Sequence, residues 1–144
     1  MKALLLWTVI MVIGTLQAHC NLIAFSDMIK HRTGKGALLN YNGYGCHCGL
    51  GGKGEPKDAT DRCCVDHDCC YERLKNMGCG TKLLNYNYSI SEGKITCANQ
   101  DFCKRQVCQC DKIAADCFAA NQITYNVKYQ RYPNSLCKGS KPRC

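Results

Sequence analysis

Apolar residues near the start of the chain repeat at helical spacing. Leu22, Phe25 and either Met28 or Ile29 fall on one face of a segment covering about residues 21–30. Spacing of three to four residues is typical of a helix with one buried face. The pattern therefore predicts a short amphipathic helix.

Two longer helices and a hairpin follow further along. Proline and aspartates at 56–61 are typical of a helix start and Gly78 follows the end, which predicts a helix over about 60–76. Gln, Lys, Ala and Asp fill the gaps between cysteines over about 99–121, which predicts the second. Residues 83–90 and 94–96, on either side of Glu92-Gly93, predict a two-stranded hairpin.

A glycine-rich segment separates the first helix from the second. Residues 41–54 hold six glycines around Cys46-His47-Cys48. Such density excludes a packed helix or strand and predicts a loop with unusual backbone angles.

An apolar run at the amino terminus has the length of a secretory signal. After Lys2, about 11 apolar residues precede Gly14, which is too short to span a bilayer. We predict a signal peptide over residues 1–20 and one domain over residues 21–144. Cleavage after Cys20 would leave an even set of cysteines, and the alternative is a retained Cys20 thiol that pairs with another molecule.

Cysteine content and charge narrow the class of protein. Fifteen cysteines in 144 residues are typical of a secreted, disulfide-rich domain. The net charge of +8, or +7 without Lys2, suits anionic partners such as acidic lipid surfaces or sulfated polysaccharide, with simple solubility as the alternative. The oxidising compartment argues against nucleic acid as a partner.

Two pairs of cysteines are spaced to cross-link the long helices. Cys63 and Cys70 are seven residues apart, as are Cys110 and Cys117, so each pair lies on one helix face. In antiparallel helices Cys63 would meet Cys117 and Cys70 would meet Cys110. The predicted fold is mainly α and disulfide-rich, with two cross-linked antiparallel helices, a short N-terminal helix, a glycine-rich loop and a small β-hairpin.

The stretch 63–70 places His67 beside Asp68 between two adjacent cysteine pairs. The antiparallel register brings His67 near Asp111, whose carboxylate would fix the ring tautomer and leave the other nitrogen to take a proton from water. No serine stands in a nucleophile-elbow setting, so activated water is the predicted nucleophile.

Calcium is the predicted metal, because Asp68 offers two oxygens and the glycine-rich loop offers backbone carbonyls. A metal-free structural turn is the alternative for the loop. Zinc is disfavoured because its thiolate ligands would be oxidised in a secreted chain.

One Asn-x-Ser/Thr motif, Asn87-Tyr88-Ser89, lies in the predicted hairpin. It permits N-glycosylation of Asn87 in a secreted protein, with an unoccupied site as the alternative.

Three motifs together resemble a known family. The segments 44–52 (Tyr-Gly-Cys-His-Cys-Gly-Leu-Gly-Gly), 61–71 (Asp-Arg-Cys-Cys-Val-Asp-His-Asp-Cys-Cys-Tyr) and 108–111 (Cys-Gln-Cys-Asp) closely resemble the secreted, calcium-dependent phospholipase A2 enzymes. The C-terminal extension ending in Cys144 is most similar to group II, in particular group IIA. The resemblance covers residues 21–144.

The resemblance implies a role for each matching residue. Ca²⁺ would be bound by the Asp68 carboxylate and by the carbonyls of His47, Gly49 and Gly51. His67 would be the general base with Asp111 as its partner, and Tyr71 and Tyr86 would support Asp111. The Gly49 amide would donate a hydrogen bond to the oxyanion. Leu22, Phe25 and Ile29 would line the acyl channel, with docking of the first helix on the core as the alternative for the last two. Lys30, Arg32, Lys35, Lys53 and Lys57 would face an anionic membrane.

It also implies a complete disulfide pairing. The bridges would be Cys46–Cys137, Cys48–Cys64, Cys63–Cys117, Cys69–Cys144, Cys70–Cys110, Cys79–Cys103 and Cys97–Cys108.

The implied activity is calcium-dependent hydrolysis of the sn-2 ester of glycerophospholipids, which releases a fatty acid and a lysophospholipid. The enzyme would be extracellular, would associate peripherally with membranes, and would share the antibacterial and inflammatory roles of group IIA. The alternative is a protein that binds a receptor or heparan sulfate on the same scaffold. The complete set of His67, Asp68 and Asp111 favours the enzyme.

Overall fold

Helices form most of the computed structural model, which describes residues 20–49 and 51–144. In chain order its elements are α1 (Cys20–Thr33), α2 (Ala37–Asn40), α3 (Ala59–Asn76), β1 (Tyr88–Ser91), β2 (Lys94–Cys97) and α4 (Phe102–Ala120). Short 3-10 helices follow at Gln122–Thr124, Val127–Tyr129 and Asn134–Leu136. The predicted signal peptide, apart from the backbone of Cys20, lies outside the described residues.

Aspartates fix where the two long helices begin. Asp58 accepts a hydrogen bond from the Asp61 N–H at 2.9 Å, and Asp101 accepts one from the Lys104 N–H at 3.1 Å. Each side chain satisfies a donor that the first turn leaves unpaired. The sequence predicted that this helix begins at about residue 99. The cap at Asp101 explains why α4 begins at Phe102 instead.

The hairpin turns at Glu92 and Gly93, both with positive φ (50° and 75°). Positive φ at both turn residues matches the twist of a two-residue hairpin. The predicted first strand was too long at its start, since pairing begins at Tyr88 opposite Cys97. Immediately before it, the side chain of Gln100 bonds both the N–H and the C=O of Asn87 at 2.8 Å, and the Asn87 carbonyl also accepts a hydrogen bond from the Ala98 N–H at 3.1 Å.

The core forms where α1 and α3 both pack on α4. Its buried side chains come from every long element and include Met28, Ile29, Leu74, Ile95, Val107 and Phe118. Among the residues described, no helix has the length and apolarity needed to cross a bilayer.

Seven disulfides tie the described elements together. They are Cys46–Cys137, Cys48–Cys64, Cys63–Cys117, Cys69–Cys144, Cys70–Cys110, Cys79–Cys103 and Cys97–Cys108, the pairs that the resemblance implies. Cys63–Cys117 and Cys70–Cys110 join α3 to α4 in opposite chain order, so the two helices run antiparallel as the spacing predicted. Because these sulfurs are oxidised, they offer no thiolate to zinc.

Candidate active site

His67 and Asp111 meet between the two long helices. The His67 Nε2 lies 2.6 Å from Asp111 Oδ1, and the Asp111 side chain is completely buried while that of His67 is 14% exposed. An ionised carboxylate only accepts hydrogen bonds, so Nε2 carries the proton and Nδ1 keeps its lone pair. Within the described residues, Nδ1 has no hydrogen-bond partner, and it is therefore free to take a proton.

Two tyrosine hydroxyls complete the surroundings of the Asp111 carboxylate. Tyr71 donates to Oδ1 and Tyr86 donates to Oδ2, each at 2.6 Å. Burial, reinforced by the charge of Asp111, raises the pKa of both tyrosines far above the usual range. Both therefore stay protonated and keep donating, which compensates the desolvation of a buried negative charge.

Asn21 extends this network to α1. Its Nδ2 donates to the carbonyls of Thr81 at 2.7 Å and Leu84 at 3.0 Å, and its Oδ1 lies 3.1 Å from the Tyr71 hydroxyl. Sequence analysis did not identify Asn21 as a site residue, because its partners lie 50 to 63 positions away along the chain.

The three α1 side chains that were predicted to line an acyl channel lie in three different environments. Phe25 stacks on the His67 ring with centroids 4.5 Å apart and planes at 19°. Ile29 is buried in the core, and Leu22 is 57% exposed. Phe25 therefore gives His67 an apolar neighbour, whereas Ile29 packs on the core and Leu22 faces solvent.

The glycine-rich loop presents unused backbone groups. Gly49 and Gly51 have φ of 113° and 76°, angles that residues other than glycine rarely adopt. Within the described residues, the carbonyls of His47, Gly49 and Gly51 accept no hydrogen bond, and the Gly49 N–H donates none. These three carbonyls and this N–H are therefore available to a ligand.

Asp68 lies one residue after His67 on α3 and is half-buried. Burial raises the pKa of this carboxyl, and the electrostatic interaction with His67 is the largest of several influences that oppose the rise. No hydrogen bond or salt bridge reaches its side chain from residues 20–49 or 51–144. A desolvated carboxylate of this kind is stabilised by a cation.

These groups fit calcium and not a softer metal. One free carboxylate and three free carbonyls are hard oxygen donors, which calcium prefers. No cluster of three or more His, Cys, Asp or Glu side chains that could hold a metal occurs in the part of the chain described, so backbone oxygens would have to supply most ligands.

The five predicted membrane-facing cations differ in their surroundings. Arg32 is ion-paired with Asp116 at 2.7 Å, and Lys30 donates to the Gly34 carbonyl at 2.9 Å. The Lys35 ammonium lies 3.7 Å from the centroid of the Tyr125 ring, and Lys57 lies near Tyr129 and Tyr132. Lys53 is exposed on the loop.

Sequence comparison assigns this geometry to a family. The model of the phospholipase A2 family matches residues 22–130. The chain is 64% identical to a Homo sapiens protein and 61% identical to a Mus musculus protein across the whole length of each, both named phospholipase A2, membrane associated. A Rattus norvegicus protein of the same name is 57% identical over 98% of this chain and 97% of its own length. With matches that run nearly from end to end, the chain belongs to the phospholipase A2 family of phospholipid hydrolases.

Proposed function

We propose that this phospholipase A2 hydrolyses the sn-2 ester of glycerophospholipids with calcium at the loop and His67 as general base. The observation that supports this most directly is the half-buried, unpaired Asp68 directly beside the His67–Asp111 pair. The family is generally calcium-dependent. The carbonyls of His47, Gly49 and Gly51 would hold the ion together with Asp68.

The chain's own residues account for the proton movements. His67 Nδ1 takes a proton from water as the water oxygen bonds to the ester carbonyl carbon, and Asp111 stabilises the imidazolium that forms. The Gly49 N–H, which donates no hydrogen bond to the described residues, would donate to the developing oxyanion. His67 then returns its proton to the departing sn-2 oxygen, and the products are a fatty acid and a lysophospholipid.

Bound calcium would supply positive charge that polarises the ester carbonyl and balances the substrate phosphate. The test is hydrolysis of anionic phospholipid vesicles with calcium and with excess chelator. We expect chelation to abolish release of sn-2 fatty acid and added calcium to restore it. Release at the sn-1 position, or full activity in chelator, would contradict the proposal.

We also propose that the enzyme docks on anionic membranes through cationic and apolar side chains on α1 and α2. Leu22 and Ile23 on α1 and Leu38 and Leu39 on α2 are each at least half exposed, a density of exposed apolar side chains that is typical of a binding surface. The tryptophan of the chain, Trp7, lies in the predicted leader, so cations would carry more of the adsorption than in an enzyme with an interfacial indole.

Charge reversal of Lys30, Arg32 and Lys35 together is expected to reduce activity on anionic vesicles much more than on a dispersed monomeric substrate. Each lysine or arginine near an acidic leaflet contributes about 1 kcal/mol, which salt screens within a Debye length. The measurement is initial rate on both substrates at low and high salt.

The matched control reverses three exposed cations near the other end of the long helices, Arg73, Lys75 and Arg105. It makes the same change in net charge, and we expect it to lower vesicle activity less. Equal losses on vesicles and monomers for the variant at Lys30, Arg32 and Lys35 would place those residues in folding or catalysis instead of docking.

We further propose that the chain is secreted, that residues 1–20 are removed, and that Asn87 carries an N-linked glycan. Asn87 and Ser89 are exposed, and the Asn87 side chain makes no hydrogen bond to the residues described. Intact mass of protein secreted by a eukaryotic cell should match residues 21–144 with seven disulfides after glycosidase and exceed it before. Ser89→Ala should abolish the excess, and an unchanged wild-type mass on glycosidase treatment would show that Asn87 is unmodified.

A further inference from the structure

Asp61, in the first turn of α3, has a fully buried carboxylate that binds backbone N–H groups inside the glycine-rich loop and just after it. Its oxygens accept hydrogen bonds from the N–H groups of Cys46, His47 and Lys57, all at 2.8 Å. Hydrogen bonds to an ionised acceptor are roughly twice as strong as neutral ones. One carboxylate therefore clamps the middle of the loop, at Cys46 and His47, to the segment that follows the loop, at Lys57.

The surrounding backbone is shaped around this carboxylate. A Cβ atom at Gly45 would overlap the Asp61 carboxyl group, and Gly45 has a φ of 59°. No other residue type fits there without displacing the clamp. Further along the loop, the buried His47 ring bonds the Gly54 carbonyl at 2.8 Å, so the loop has a second internal link close to the same point.

Helix geometry connects this clamp to the proposed metal ligand. Asp61, Cys64 and Asp68 are three and seven residues apart, which places them along one face of α3. Cys64 holds the loop through its bridge to Cys48. The rigid helix thus carries, in succession, the clamp on the loop backbone, the covalent link to the loop and the free carboxylate.

We infer that Asp61 is the positioning residue of the calcium site: by holding the N–H of His47, it aims the His47 carbonyl and sets the distance from the loop oxygens to Asp68. The inference rests on the proposed calcium-binding function. Groups behind metal ligands typically change metal affinity 10- to 100-fold when they are replaced, and Asp61 touches the loop without contacting any substrate-facing group described above.

The test is Asp61→Asn in the secreted, disulfide-intact protein. An amide has the same shape, yet its NH₂ would face a backbone donor and at least one of the three hydrogen bonds would be lost. We expect calcium affinity, measured by titration calorimetry without substrate, to fall about 10- to 100-fold. The calcium concentration that gives half-maximal hydrolysis should rise by the same factor, and circular dichroism should show an unchanged fold.

Asp58→Asn is the matched control. It removes the same charge from the same helix end, and an asparagine still caps α3, but Asp58 bonds the Asp61 N–H and the Tyr44 hydroxyl and not the loop amides. Its calcium affinity should stay within about twofold of wild type, since long-range charge effects on an ion are screened.

Three outcomes separate the hypotheses. Wild-type protein that binds no calcium would defeat the proposed function itself. Wild-type binding with unchanged affinity in a folded Asp61→Asn protein would overturn only the positioning role. If Asp61→Asn does not fold, the clamp is tested by amide hydrogen exchange in calcium-free wild-type protein. Protection of the Cys46 and His47 amides would support the clamp. Exchange of these amides at the rate of free amides would refute it.

Discussion

Asp68→Asn is expected to abolish both calcium binding and hydrolysis. The carboxylate is half-buried and unpaired among the described residues, and its burial raises the pKa of the group. A neutral amide cannot supply the two anionic oxygens that calcium requires from this position. The measurements are calorimetric calcium titration and fatty-acid release from anionic vesicles, with circular dichroism to verify the fold.

Asp66→Asn provides the control for this substitution. Asp66 is an exposed carboxylate two positions earlier on α3, so the variant has the same net charge while its side chain points away from the Asp68 face. We expect calcium affinity and activity to stay near wild-type values. If Asp68→Asn still binds calcium, the ion must bind at another site, and Asp68 is not its ligand.

Local spacing predicted those parts of the fold that depend on neighbouring turns of a helix. Cysteines seven residues apart in each long helix defined the antiparallel register, and the same register put His67 opposite Asp111. Such features are visible in sequence because the helical repeat converts a separation along the chain into a direction in space. The resemblance then supplied the five bridges that spacing left undetermined.

Contacts between a side chain and a distant backbone could not be predicted in this way. The side chains of Asn21 and Asp61 both bond to main-chain groups. Every residue type has such groups, so the sequence of the partner does not reveal the contact. Asp61 looked like an ordinary acidic residue in the first turn of a helix, a position that favours negative charge by itself. Its burial, visible only in the fold, distinguishes a clamp from a surface residue.

The periodic face of α1 shows a related limit. Leu22, Phe25 and Ile29 lie on one face of the helix. Leu22 is nevertheless exposed to solvent, Phe25 stacks on His67 and Ile29 is buried in the core. Periodicity identifies the buried side of a helix but not where along its axis the neighbouring elements lie. The division follows from the packing of α1 on α4, which buries Ile29 and leaves Leu22 exposed.

His67→Gln is expected to lower turnover by roughly 10² to 10⁴ while leaving calcium affinity and folding nearly unchanged. Glutamine can still donate to Asp111 but has no nitrogen lone pair to take a proton from water. The free Nδ1 opposite the 2.6 Å contact to Asp111 is the feature being removed. The measurements are kcat on a monomeric substrate, so that membrane adsorption does not contribute, and calcium titration of the same preparation.

His31→Gln is the matched control, since His31 is exposed on α1 and its Nε2 lies 3.3 Å from the Asp27 carboxylate, one helical turn earlier. Loss of that surface contact should cost little, and kcat should be unchanged. A His67→Gln protein that folds normally but binds no calcium would make His67 a ligand. Because the ring is held between Asp111 and the stacked Phe25, we expect instead that only the chemical step slows.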